Sequence, residues 1–133
     1  MQLRLSYSEV EQLIESKAGK RIPLSFNDTH TLRVSYAVPL MGSVNVDLTV
    51  ERIDGSDIYL SFSGGSAIEL MLRTALNQIK KQPGMDLLQM LGGNNLILSL
   101  GKSANLAPIF EKVTLQDIFF DEQFLIIQFV PKI

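Results

Sequence analysis

This chain contains no cysteine and only one histidine, His30. Without cysteine there are no disulfides, no thiolate nucleophile and no cysteine-ligated zinc. A lone histidine does not build a His-rich metal centre, and a Ser-His-Asp triad would require the fold to bring every partner to that one side chain. His30 follows Asn27-Asp28-Thr29, a turn-forming run, so an exposed place beside a turn is expected for it.

An excess of charge of one sign is missing too. The 12 Lys and Arg are interspersed with 14 Asp and Glu, for a net charge of −2. Nucleic-acid binders usually show a basic stripe. The nearest approach here is Lys17, Lys20 and Arg21, with Lys80-Lys81 far along the chain. Nucleic acid is therefore not an expected partner. No window reaches the ~18 consecutive apolar residues of a membrane-spanning helix. With Met1 as the native start, no apolar run follows Met1-Gln2-Leu3-Arg4-Leu5 that would serve as a signal-peptide core. The expectation is a soluble, cytoplasmic protein.

What is present is an ordinary globular composition. At 133 residues with 46% apolar side chains, residues 1–133 form one domain with a real core rather than a disordered chain. The clearest pattern lies in residues 66–81. Ile68, Met71, Leu72, Ala75, Leu76 and Ile79 recur at helical spacing and share one face. Gly64-Gly65 breaks the preceding segment. Ser66 with Glu69 three residues later reads as a capping box. Glu69 and Arg73 make a favourable i, i+4 pair, and Pro83-Gly84 ends the helix.

The rest of the chain reads around that helix. Leu3 and Leu5 alternate with polar residues as a short strand. Ser6 and Glu9 form a second capping box, opening a helix with Val10, Leu13, Ile14 and Ala18 on its apolar stripe and Gly19 at its end. From Ile22 the period changes to two. Ile22, Leu24 and Phe26 come first, with Pro23 marking an edge or a strand start. Three more alternating runs follow, 32–38, 44–50 and 58–62, separated by turns at 39–42 and at Asp54-Gly55-Ser56. These segments predict an antiparallel meander with one apolar face, and the helix at 66–81 is its cover. Met85 to Leu91 reads as a helical turn or two. Leu96 to Leu100 is a strand. Residues 104–112 read as a short helix starting near Ala107 or as an irregular connection. Val113 to Phe120 leads through a turn at Asp121-Glu122-Gln123 to Phe124–Val130, a nearly continuous apolar strand. The expected class is α+β: a curved antiparallel sheet of about six strands, one long amphipathic helix packed on it, and a shorter N-terminal helix.

Polar chemistry is sparse. Asp54 and Asp57 flank a turn, where aspartate serves the backbone. Asp117, Asp121 and Glu122 offer oxygens of the kind a hard cation takes, but their spacing matches no metal-binding loop, and solvated turn residues are expected. Ser63-Gly64-Gly65-Ser66 precedes a helix N-terminus, yet it lacks the Walker lysine and the spaced glycines of a dinucleotide loop. No nucleophile–base pair emerges, so no cofactor or metal is expected; an enzyme is the third reading, and it would need a pocket with acids converging around Asp117 or His30. The apolar side is richer. Met41, Met71, Met85 and Met90 supply the adaptable side chains used in cores and in ligand surfaces alike.

The run Leu106-Ala107-Pro108-Ile109-Phe110, then Val113-Thr114-Leu115-Gln116-Asp117, a turn and Phe124-Leu125-Ile126-Ile127 resembles the closing hairpin of the tubular lipid-binding (TULIP-like) proteins, in particular their bacterial LmeA-type group. The meander from Val44 to Phe62 with its following apolar helix is similar to the same arrangement. The chain is shorter than such proteins and shows neither a secretion signal nor a lipid anchor. The resemblance implies no catalytic residues and a lipid held in an apolar groove. The expected function is thus a non-enzymatic binding protein holding an apolar or lipid-like ligand between helix and sheet. Ile68, Met71, Leu72, Ala75, Leu76 and Ile79 would line it from the helix, with Val46, Leu48, Leu60 and Phe62 opposite. The alternative is a protein–protein interaction or self-assembly module, such as a homodimer, using the same surface or an apolar edge at Phe124–Val130.

Overall fold

Alternating apolar residues build two antiparallel sheets, and helices are spent on covering and joining them. A computed structural model describes residues 1–38, 40, 42–81 and 86–132; of Lys17, Ala18, Val38 and Ile79 it describes the backbone alone. The architecture is α+β, and the described residues form a six-stranded sheet, a three-stranded sheet and three α-helices.

The larger sheet contains β2 (Leu24–Asp28), β3 (Thr31–Val38), β4 (Gly42–Asp54), β5 (Asp57–Ser63), β6 (Leu88–Met90) and β7 (Asn95–Ser99), in the order β2-β3-β4-β5-β7-β6. The smaller sheet has the order β1-β9-β8, with β1 (Gln2–Ser6), β8 (Val113–Phe120) and β9 (Phe124–Pro131). Its first and last strands come from opposite ends of the chain. The helices are α1 (Tyr7–Ala18), α2 (Ser66–Ile79) and the single-turn α3 (Ala107–Phe110).

The register puts Leu32 opposite Leu48, Leu48 opposite Phe62, Val50 opposite Leu60, Leu60 opposite Leu96 and Ile58 opposite Leu98. Directly paired residues point to one side, so these side chains make one continuous apolar face. That face has two covers rather than the single one expected. Toward one end, Leu32, Val50 and Ile58 pack with Leu115, Ile118 and Phe120 of β8 and with Phe110 of α3. Toward the other, Val46, Phe62, Leu88 and Leu96 pack with Ile68, Leu72 and Leu76 of α2. Leu60 belongs to both groups and joins them.

Helix α1 follows its sequence signals. Ser6 and Glu9 exchange backbone-to-side-chain hydrogen bonds of 3.0 and 3.1 Å, completing the capping box. Gly19 closes the helix at a φ of +73°, donating to the Glu15 carbonyl at 2.8 Å. The helix is fastened to both sheets. The Tyr7 hydroxyl donates to the Asp121 carbonyl in the β8–β9 turn. The Glu11 carboxylate accepts from Arg21 and, at 3.0 Å, from the amide of Leu24 on β2.

Three expectations are corrected. Met85–Leu91 was expected to hold a helical turn; residues 82–85 lie outside the described ones, and Leu88–Met90 is the edge strand β6, paired with β7. Three residues are too few for a helix to profit from its first hydrogen bond, whereas a neighbouring strand supplies partners at once. Phe124–Val130 is not an edge: β9 is the central strand of its sheet, flanked by β1 and β8. The Ser66–Glu69 capping box does not form. Gly65 is the N-cap, at a φ of +92°, and no side-chain bond from Ser66 caps the helix. The expected helix stop at Pro83-Gly84 lies outside the described residues; the helix already ends at Ile79, with Lys80 as its C-cap. Pro23 does precede an edge strand, β2, as expected.

Candidate functional site

Seven of the ten residues expected to line a ligand site come together. Ile68, Leu72 and Leu76 of α2 meet Val46, Leu48, Leu60 and Phe62 of the sheet in one cluster. Met71 and Ala75 are not part of it: Met71 is 42% exposed, and Ala75 faces solvent. The Ile79 side chain lies outside the described residues. The split follows from helix geometry. Ile68, Leu72 and Leu76 lie four apart and form one row, which seats on the sheet; Met71 and Ala75 lie on the adjoining row. The apolar arc of α2 is thus wider than the strip of sheet beneath it. Leu88, Met90 and Leu96, which complete the cluster, come from β6 and β7. Reading 85–91 as helix concealed the first two; the alternation of Leu88 and Met90 was the available signal.

The helix is held at its start by Glu69. Its carboxylate accepts from the amides of Gly64 and Gly65 at 3.1 and 3.3 Å, and from the Asn94 side chain. The Asn94 amide, then the Gly64 amide and, more weakly, the charge of Arg73 hold the Glu69 carboxyl below its ordinary value of 4.5. A carboxyl lowered by bonds made only in the folded chain stabilises folding above its ordinary value. That contribution is lost as pH falls through the lowered one. Wild type is therefore expected to exceed Glu69→Gln in thermal midpoint above the ordinary carboxyl value, and the gap is expected to narrow as pH falls below it. Paired melts across that range measure it.

A second, polar site lies where the two sheets meet. Strand β4 has a bulge between Val50 and Arg52, and β8 has one between Leu115 and Asp117. Each has the same cause. Val50 and Ile53, like Leu115 and Ile118, are apolar residues three apart that both pack in the core. Strict alternation would turn one of each pair outward, so the extra residue resets the pleat. The residues between them, Glu51-Arg52 and Gln116-Asp117, line a cleft of about 200 Å³ together with His30, Val50 and Ile53.

Backbone bonds bracket this cleft. Leu115 donates to the Gly55 carbonyl at 3.1 Å, and Phe120 donates to the Thr29 carbonyl at 2.8 Å. Between them the Ile118 amide donates to Asp117 Oδ1 at 2.8 Å. His30 Nε2 lies 3.4 Å from the same oxygen. His30 does sit beside a turn, half exposed, as expected. Its pairing with Asp117 was invisible in sequence because 87 positions of chain separate them, the difference between 117 and 30. The Asp117 carboxylate can orient the imidazole, and among the described residues the lining holds no hydroxyl, thiol or amine side chain. Asp117 and Asp121 serve different ends: Asp121 Oδ1 accepts from the amides of Gln123 and Phe124 at 2.8 and 2.7 Å, shaping the β8–β9 turn. Among the described residues no three His, Asp or Glu side chains converge as a metal site requires, and no helix is long and apolar enough to cross a membrane. No protein-family model, curated protein or solved structure matches this chain.

Proposed function

We propose that this chain is a non-enzymatic binding protein that takes an apolar, lipid-like ligand along α2, in the seam between that helix and the six-stranded sheet. One observation carries the reading: the apolar arc of α2 exceeds what the sheet covers. Ile68, Leu72 and Leu76 stay only half-buried, and Met71 beside them is 42% exposed. Water against such a surface is displaced favourably by hydrocarbon, and methionine adapts its shape to the occupant. The ligand enters the seam beside the half-buried Ile68, Leu72 and Leu76, with Met71 at its outer edge. The resemblance of Leu106–Phe129 and of the Val44–Phe62 meander to the TULIP-like proteins, with a curved sheet around one long helix, supports the same ligand class.

Native mass spectrometry of the protein purified from cells is expected to show a co-purifying lipid, or uptake of added fatty acid at about one per chain. Bare protein under both conditions would contradict the reading. A second reading is favoured by Leu70, 59% exposed on the same helix. Large exposed aliphatic side chains suit a protein partner, most simply a second copy of this chain. Light scattering over a concentration series separates the two, since a monomer at all concentrations opposes self-assembly and leaves the ligand.

A further inference from the structure

We propose that the ligand of the α2 seam carries an anionic head, a carboxylate or a phosphate, and that Arg73 receives it side-on through Nε and a terminal nitrogen. This rests on the reading that the seam takes an apolar chain, and it adds the charge of the ligand.

One atom carries the argument. Among the described residues, Arg73 Nε is the only buried side-chain nitrogen or oxygen without a hydrogen-bond partner. Arginine keeps its protons and its charge in proteins, so this N–H is not relieved by titration. A buried donor left unpaired costs the folded state, and such groups are rare. The acid one turn away does not relieve it. The Glu69 carboxylate is taken by the amides of Gly64 and Gly65 and by the Asn94 side chain. Arg73 acts on it through charge alone, the weakest of the influences that lower that carboxyl. The chain therefore holds a buried, charged donor for which it supplies no acceptor.

The position suits the head of a ligand. Arg73 is half-buried, next to Leu72 and three residues before Leu76, both of which seat on the sheet. Met71 precedes Leu72 and Arg73 follows it, so the two stand on opposite flanks of the seated row. Lys80, seven residues on, shares the flank of Arg73 and adds a second positive charge. A helix with its side chains is about 10–12 Å across. A medium-chain acid is of that length, and its hydrocarbon lies in the seam toward Met71 while its head meets Arg73. Two oxygens of a carboxylate or phosphate accept from Nε and a terminal nitrogen in parallel, a geometry that lysine does not offer. A neutral hydroxyl accepts one bond at most there and brings no charge. A lipid head and a free small anion share this chemistry, and the test separates them.

Calorimetric titration near neutral pH compares sodium octanoate, octanol and sodium acetate. Octanoate is expected to bind wild type at least about tenfold more tightly than octanol, and acetate to show no saturable binding at millimolar concentration. Arg73→Met is expected to weaken octanoate about tenfold and to leave octanol unchanged. Without ligand, this variant is expected to melt no lower than wild type, because it removes an unpaired donor and keeps an apolar stem. Octanol bound by wild type as tightly as octanoate would overturn the anionic head and leave the apolar reading standing. Octanoate held undiminished by Arg73→Met would do the same. Acetate bound as tightly as octanoate would overturn it by assigning Arg73 to a free anion, and a clear drop in the melting temperature of Arg73→Met would overturn it by showing Nε to be paired. Binding of neither octanoate nor octanol overturns both readings together.

Discussion

Replacing Phe62 with alanine is expected to lower the free energy of unfolding by about 3–5 kcal/mol. Phe62 is 4% exposed and stands opposite Leu48 on β4, in the cluster where α2 meets the sheet. Removing the ring takes away buried apolar area and leaves a hole that β-sheet neighbours cannot close without breaking their ladder. A domain of this size has about 5–15 kcal/mol in all, so the variant should sit near the edge of stability. Because isolated helices of this length are marginal, α2 should loosen first. Urea titration gives the energy, and amide exchange along 66–79 shows where it is lost. Met71→Ala on the exposed row is the control, expected within about 0.5 kcal/mol of wild type.

Phe120→Ala should cost a similar amount, about 3–5 kcal/mol, through the other cover. Phe120 is 6% exposed on β8, packed with Leu32, Val50 and Ile58, and its amide is one of the bonds joining the sheets. Here the loss should appear in the three-stranded sheet, as faster exchange in β8 and β9, with α2 left protected. The two clusters share Leu60. Strict independence would make the double variant additive to within about 0.5 kcal/mol. Coupling through Leu60 is expected to exceed that limit, and a chemical double-mutant cycle reads it directly. If Phe120→Ala instead frees α2 as much as Phe62→Ala does, the division of the apolar face into two covers is wrong.

These effects bear on how the fold is written in the chain. The strands of the meander were legible because their apolar residues alternate, and one face then had to be covered. Helix α1 was legible in detail, since Ser6, Glu9 and Gly19 each act locally and their signals need no distant partner. Its N-terminal counterpart in α2 misled because Ser66 and Glu69 have the right spacing, but Asn94, 25 positions from Glu69, competes for the carboxylate. The pairing of β1 with β9 is equally non-local: Gln2 stands opposite Gln128, and no spacing rule reaches that far. This is why one sheet was expected where two exist. Strand β6 was hidden by its three-residue length: the single alternation Leu88-Gln89-Met90 was outweighed by the helix-like spacing of Met85, Leu87, Leu88 and Leu91.

The α2 row was legible to the same degree. The periodicity identified which residues share a helix face, and Ile68, Leu72 and Leu76 do seat on the sheet. It carried no information on how far around the helix the sheet reaches, so Met71 and Ala75 were grouped with them. The polar cleft was written in sequence as two interruptions of alternation, Val50-Glu51-Arg52-Ile53 and Leu115-Gln116-Asp117-Ile118. An apolar pair three apart inside a strand signals a bulge, and bulges re-aim side chains at sheet junctions. What sequence withheld was that the two bulges would line one cleft together with His30.

The central claim, that α2 is the binding element, is tested most directly by methyl NMR of Met71 during titration with a medium-chain fatty acid. The Met71 methyl signal, with those of Ile68 and Leu72, is expected to shift saturably at about one ligand per chain, and Met71→Lys is expected to abolish the response while leaving the fold intact. A Met71 methyl that stays fixed while fatty acid binds elsewhere, or does not bind, would contradict it.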